Sequence, residues 1–205
     1  MLKPLLDAVM QRRANQLMAQ LSAWLPAEGP ILDLGSGTGH LSACLQQRRR
    51  LDVVAADVTD IHVVGPRPVA ISDAALPFAD DAFSAALLVF MLTYPADPAG
   101  VLSEAARVTR GPVIVVQSLY ASRLGHAWLR VREFLWTFVG FHVSKLVGYV
   151  PHDASFRMQP RRFYTARDLQ RDVTRAGLRV CARQDTAVLP RRALVVAGWR
   201  LERDV

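Results

Sequence analysis

Ile31-Leu-Asp-Leu-Gly-Ser-Gly-Thr-Gly-His40 is the stretch that decides the fold. Ile31 to Leu34 is a short apolar run of the kind that forms a buried strand. Gly35, Gly37 and Gly39 follow at once, and a helical pattern begins at His40 and runs to Arg49. A glycine-rich turn between strand and helix lets a ligand lie against backbone that carries no Cβ. The helix behind it offers unpaired N–H groups and a positive dipole end, which suit a carboxylate. The spacing is GxGxG, whereas dinucleotide sites use GxGxxG, and no Gly-Lys-Ser/Thr follows to form a phosphate loop. Asp33, two residues ahead of the first glycine, would repel a pyrophosphate and attract an ammonium group.

Outward from this stretch, apolar strands alternate with helices. Leu2 to Leu25 reads as a helix closed by Pro26 and Gly29-Pro30. Further strands are expected at Asp52 to Ala56, Val69 to Ile71, Ala85 to Phe90 and Pro112 to Gln117, with a helix over Pro98 to Thr109. Thr59 to Arg67 reads as a short helix and turn. Ala166 to Ala176 reads as a helix with Thr165 as its N-cap and Gly177 just past its end. Leu178 to Val188 and Ala193 to Leu201 form an antiparallel pair joined through Pro190-Arg191-Arg192. The expected fold is α/β, a Rossmann-like, doubly wound, mostly parallel seven-stranded sheet with an antiparallel C-terminal strand and a helical lid insertion. The chain reads as one domain over 1–205, with 119–160 as the inserted lid.

Two carboxylates stand where such a sheet meets a nucleoside. Asp57 closes the second strand, within reach of ribose hydroxyls. Asp73, after the third strand, can accept from an exocyclic adenine amine, with the Ala74 N–H available to a ring nitrogen. The stretches DLGSGTG (Asp33 to Gly39), VVAADV (Val53 to Val58), DAALPFADDAF (Asp73 to Phe83) and LSEAARVTRG (Leu102 to Gly111) come in this order. Together they resemble the class I S-adenosylmethionine-dependent methyltransferases, in particular the small-molecule, type 11-like branch, over residues 31 to 118. The resemblance implies S-adenosylmethionine as cofactor. Asp33, Gly35, Ser36, Gly37 and Gly39 would hold its methionine part, Asp57 and Val58 its ribose, and Asp73 and Ala74 its adenine. Leu88, Val89 and Phe90 would lie near the sulfonium.

The chain departs from that family in places. Its fourth strand opens Phe83-Ser84 where relatives have Phe-Asp, and an unusually apolar set, Leu88, Val89, Thr93 and Tyr94, follows it. No Asn-Pro-Pro-Tyr-like motif marks a base-amine methylase, no paired-glutamate loop marks an arginine methylase, and neither cysteine is placed to attack a pyrimidine. A non-catalytic module that binds the donor stays open as the alternative reading, with a nucleic-acid methyltransferase behind it.

The acceptor side is legible only as candidates. Tyr94, Tyr120, His126, His142, His152 and Tyr164 could each serve as a base, needed only if the acceptor is protonated at neutral pH. Phe90, Tyr94, Tyr120, Trp128, Trp136 and Phe141 could line an acceptor pocket. Leu119 to Val150 mixes aromatics with Arg123, Arg130, Arg132 and Lys145. Three readings of it compete: a cap packed on the core, a hydrophobic pocket for a small lipophilic acceptor (aromatic, polyketide-, quinone- or lipid-like), or an interfacial helix on anionic lipid. The net charge of +7 comes from scattered arginines, with one run at Arg48-Arg49-Arg50, and no basic helix interleaved with aromatics speaks for nucleic acid. Cys44 and Cys181 are too few for a disulfide framework or a zinc site, so no metal is expected. No secretory signal and no run of about 20 apolar residues is present, so the expected location is cytoplasmic, with peripheral membrane contact through the lid as the variant. Oligomeric state is not legible.

Overall fold

A computed structural model describes residues 2–72, 75–150, 160–189 and 193–204. Seven strands form one sheet: β1 (Ile31–Leu34), β2 (Val53–Asp57), β3 (Val69–Ala70), β4 (Ala85–Val89), β5 (Val113–Tyr120), β6 (Leu178–Ala187) and β7 (Leu194–Arg203). Their order across the sheet is β3-β2-β1-β4-β5-β7-β6. Strands β1 to β5 run parallel, and β7 is antiparallel to both β5 and β6. This is the doubly wound, seven-stranded arrangement of the methyltransferase fold. Order reverses between β1 and β4, the switch point at which such sheets bind ligands beyond the carboxyl ends of their strands.

Side chains alternate between two layers. Leu32, Leu34, Ala86, Leu88, Val113 and Val115 face one core, shared with α3 (Pro98–Arg107) and α6 (Ala166–Arg175). Ile31, Ala85, Leu87, Ile114 and Val116 face the other, shared with α1 (Leu2–Leu21) and α2 (His40–Arg49). Burial on both faces explains why these strands read as unbroken apolar runs. The helix starts follow local chemistry. Asp97 Oδ1 accepts from Gly100 N at 3.1 Å with Pro98 in the first turn. Thr165 and Asp168 make a reciprocal capping box on α6, and Gly177 leaves that helix with φ +69°.

The 59–67 segment is not helical: it runs as bends from Asp57 to β3. Gly65, Pro66 and Pro68 account for this, since proline removes a donor and restricts the residue before it. The opening helix ends at Leu21, a turn earlier than expected, with Trp24 and Leu25 folded back onto the Leu21 carbonyl. The middle of the chain continues as α4 (Arg123–Phe134), a π-helical segment (Leu135–Gly140) and α5 (Phe141–Leu146).

Tyr164 ties α6 to the end of β4. It is fully buried, and its hydroxyl donates to Asp172 Oδ2 at 2.9 Å, where Arg162 also donates at 2.8 Å. Tyr164→Phe leaves buried Asp172 one donor short. Calorimetry should show a thermal midpoint lower by about 3–6 °C, the equivalent of one neutral-to-charged hydrogen bond in a domain of this size. A change below ~1 °C would mean that the bond contributes nothing.

Candidate functional site

A cleft opens at the carboxyl ends of β1, β2 and β4, at the switch point. Its floor is the glycine turn. Gly35, Gly37 and Gly39 all take positive φ, +76°, +58° and +82°, which side chains rarely adopt. A Cβ on Gly35 would come within 2.8 Å of Met91 Cβ, and one on Gly39 would strike the Val64 carbonyl oxygen. At Gly37 a Cβ would meet nothing within 4 Å, so the loop's open side faces the cleft there.

Two carboxylates line this floor. Asp57, at the end of β2, accepts from Gly37 N at 2.8 Å and from Thr59 N at 3.1 Å. It thereby ties the glycine turn to the neighbouring strand. Burial pushes its carboxyl up, opposed by these N–H donors. Asp33 is almost wholly enclosed and takes a hydrogen bond of 2.6 Å from Ser42 Oγ of α2. Burial raises its carboxyl to about 6, against the pull of Ser42. An ionised carboxylate so enclosed, with Asp57 adding further negative charge, is poised for a cation.

The turn is braced by two histidines. His62 Nδ1 lies 2.6 Å from the Pro66 carbonyl and Nε2 lies 2.8 Å from Ser36 Oγ. A carbonyl only accepts, so Nδ1 carries the proton, and in the neutral ring Nε2 accepts from Ser36. That leaves the lone pairs of Ser36 Oγ facing outward as acceptors. His40, at the start of α2, meets Thr38 Oγ1 at 3.0 Å and Asp7 Oδ1 of α1 at 3.0 Å. The Tyr149 hydroxyl lies 3.5 Å from the same Asp7 oxygen. Helix α1 is thus pinned to the glycine turn from one side and to the chain beyond α5 from the other.

The LSEAARVTRG motif does its work through Glu104 and Arg107. Glu104 accepts from Leu76 N at 3.0 Å and pairs with Arg107 at 2.8 Å, which holds its carboxyl down at about 2. Arg107 in turn donates to the carbonyls of Leu76 and Phe78 at 3.1 and 3.0 Å and pairs with Asp80 at 2.6 Å. The Glu–Arg clamp fixes the segment that follows β3 against α3.

Of the residues singled out from sequence, Asp33, Gly35, Ser36, Gly37, Asp57, Val58, Val89, Phe90, Tyr94 and Trp136 line this cleft. Gly39 is buried under Val64. Leu88 does not reach the cleft: at an even position of β4 its side chain points into the α3/α6 core and is fully buried. Tyr120 and His126 stack on each other at 4.7 Å away from the cleft, with Tyr120 on a separate groove beside α6. Trp128 and His142 are exposed, and Phe141 packs with Met10, Tyr149 and Val150. Tyr164 is committed to Asp172 in the core. Asp73, Ala74 and His152 lie outside the described residues.

Sequence reasoning missed the wall that α1 supplies. Met10, Arg13, Ala14 and Leu17 line the cleft opposite Phe90 and Met91. The stretch from Leu2 to Leu25 reads as a helix, and helical periodicity by itself says only that a helix packs on something. Ser42 and His62 carried no signal in the sequence. The glycine turn with an open backbone face, an enclosed carboxylate for an ammonium and a second carboxylate beside it fit an adenosyl amino acid.

Comparison with known proteins agrees with this geometry. The chain belongs to the S-adenosylmethionine-dependent methyltransferases of class I, the family model of the methyltransferase domain (type 23) matching residues 6–182. S-adenosylmethionine is the cofactor of this family. Similar folds include an S-adenosylmethionine-dependent methyltransferase from Methanosarcina mazei, with 16% identity, a TM-score of 0.57 and cover of 90% of this chain and 98% of that one. A second is the magnesium protoporphyrin IX methyltransferase of Synechocystis with bound S-adenosylhomocysteine, at 16% identity, TM-score 0.55 and 94% and 83% cover. A third is a geranyl diphosphate methyltransferase in complex with S-adenosylmethionine, at 12% identity, TM-score 0.57 and 94% and 85% cover. No curated protein matches the chain by sequence.

Proposed function

We propose that the chain transfers the methyl group to a small, lipophilic acceptor that enters beside Phe90 and Tyr94. The observation that carries this reading is the shape of the mouth. Beyond the two carboxylates the cleft is walled by Met10, Leu17, Phe90, Met91, Pro95 and Trp136, with Arg13 and Tyr94 among them. In this reading Asp33 and Ser36 take the ammonium of the donor and Asp57 takes its ribose hydroxyls. Asp73 and Ala74 take its adenine, beside the apolar surfaces of Ile71 and Leu76. The donor brings a methyl group already activated on a sulfonium. The residues of the chain align the acceptor and exclude water, an alignment that can supply about 7–11 kcal/mol.

Tyr94 supplies a hydroxyl at this mouth. Its hydroxyl donates to Glu133 Oε2 at 3.4 Å, and burial together with Glu133 raises its phenol well above the usual range. At neutral pH it keeps its proton, which is directed at Glu133, so the oxygen offers its lone pairs to an acceptor O–H or N–H and orients it. The described part of the inserted segment, 119–150, serves as the lid over this mouth, with Trp136 as its contact residue. Two of the fold's neighbours, named above for protoporphyrin and geranyl substrates, support a sheet that accommodates bulky apolar acceptors.

The test has two stages. Calorimetry with S-adenosylhomocysteine establishes the donor site. A panel of lipophilic phenols, quinols and acids with labelled donor then reads out transfer, alongside RNA and protein controls. Turnover confined to RNA or protein overturns the small-molecule reading, and donor binding with no turnover on any acceptor favours a binding module.

A specific observation favours a second role for the lid. Leu124, Trp128, Val131, Phe134, Leu135, Trp136, Val139 and Leu146 are all exposed large apolar side chains on one continuous helical stretch. Arg123, Arg130, Arg132 and Lys145 accompany them, against Glu133 alone. That composition suits the boundary of an anionic membrane. No helix among the described residues is long and apolar enough to cross one. Vesicles of phosphatidylcholine with 30% phosphatidylglycerol should co-float the protein, and Trp128→Glu with Phe134→Glu should abolish it. Equal flotation of wild type and variant would overturn the membrane role.

A further inference from the structure

Beside the donor cleft lies a second groove, formed by α1, the end of α4 and the sheet. Phe90, Tyr94, Leu17, Trp136 and Arg13 line both, so the two are continuous. Resting on the methyltransferase reading above, this groove is where the body of an acceptor extends away from the transferred methyl. Its polar character is strongly unbalanced. It holds Arg12, Arg13 and Arg132 against one carboxylate, Glu133.

Glu133 is already engaged. It accepts from Arg132 at 2.7 Å, and Arg132 also donates to Ser118 Oγ at 3.1 Å. Arg12 and Arg13 have no carboxylate within 4.0 Å among the described residues. Arg13 is further constrained: its guanidinium sits over the Phe90 ring, 4.6 Å from the centroid. A guanidinium stacked on an aromatic face is fixed in plane and keeps its N–H edge for a carboxylate or phosphate. Two arginines in consecutive positions of one helix, without carboxylate partners, beside an apolar channel define a site for a negatively charged group on an apolar body.

We infer that the acceptor is an amphiphilic anion, carrying a carboxylate or phosphate that Arg12 and Arg13 hold while its apolar part reaches past Phe90 towards the donor. The shared chemistry is an oxyanion at the end of an apolar chain or ring. The two sources are separated by the probes.

The experiment titrates decanoate, decyl phosphate and decyl alcohol, each below its micelle or solubility limit, into the protein by calorimetry. It is run with and without saturating S-adenosylhomocysteine. The anions should bind at least tenfold more tightly than the alcohol, and the tighter of the two identifies the head group. In Arg12→Gln/Arg13→Gln the preference should fall below threefold. Because the readout is a ratio of ligands within one variant, a general loss of affinity does not imitate it. Equal affinity of alcohol and anions in the wild type overturns the inference, and so does an anion preference that survives in the double variant. A wild type that binds the anions and not S-adenosylhomocysteine would sink the donor site and leave this groove standing.

Discussion

Asp57→Ala is expected to weaken binding of S-adenosylhomocysteine at least ~100-fold, about 2.7 kcal/mol. Two losses add up. The proposed ribose contacts are hydrogen bonds to a charged acceptor, each worth roughly 1.5–3 kcal/mol. The Gly37 N–H, now 2.8 Å from Asp57 Oδ2, also loses the partner that holds the glycine turn in its binding shape. The fold should survive. The buried carboxylate is raised by its own desolvation, so removing it relieves a cost that offsets the lost bonds to Gly37 and Thr59. Calorimetry and a thermal melt on the same sample separate the two effects. Affinity within threefold of wild type would remove Asp57 from the donor site, and with it the proposed orientation of the nucleoside.

Asp33→Asn should pull stability and donor binding in opposite directions. The Asp33 carboxyl is raised to about 6 in the folded chain, against about 3.9 unfolded. The sign follows from proton uptake. Between these values the folded state binds more protons than the unfolded one, so this contribution is fully present below ~pH 4 and is lost as pH rises through 6. At neutral pH the ionised side chain therefore costs on the order of 3 kcal/mol, and a neutral isostere should recover part of it. The melt of Asp33→Asn at pH 7.5 should shift upward by a few degrees, with the gain shrinking towards pH 4. Donor-product affinity should fall at least tenfold, because an amide cannot neutralise an ammonium. The wild type should lose affinity progressively below pH 6, as Asp33 takes up its proton, and the variant should lose this pH dependence. A variant both less stable and equally good at binding would refute the assignment of Asp33 as the ammonium's partner.

The sheet was readable from residues because its signal is local. Ile31–Leu34, His40–Arg49 and the Thr165/Gly177 boundaries of α6 each rest on a short apolar run, a cap or a glycine, and each lies where those signals put it. The carboxylates at strand ends were equally legible, since strand topology alone brings Asp33 and Asp57 to one edge. What sequence could not give was anything set by tertiary contact. The wall from α1, the His62–Ser36 brace and the hold of Glu104 and Arg107 on Leu76 and Phe78 join residues far apart in the chain. Leu88 shows the same limit at single-residue scale. It directly precedes the cleft residues Val89 and Phe90 in sequence, yet its side chain goes into the α3/α6 core. The aromatic candidates of the middle segment failed to converge for a similar reason: Tyr120 closes β5 beside α6, while Trp128 and Trp136 lie on successive helical segments that distribute their residues around an axis.

The antiparallel strand has a consequence for how the protein is made. Strand β7 lies between β5 and β6, so β5 gains its second neighbour only when the chain has been synthesised as far as Leu194. From Tyr120 to Leu194 is 194 − 120 = 74 residues, which at ribosomal rates is ~4–15 s. Throughout that interval the nascent sheet carries a bare hydrogen-bonding margin of Val113–Tyr120, long and apolar, of the type that recruits strands from other chains. Its protection before β7 arrives must come from outside the chain or from the helices that emerge in the meantime, and ribosome-bound intermediates halted in this window are the species in which self-association should be greatest.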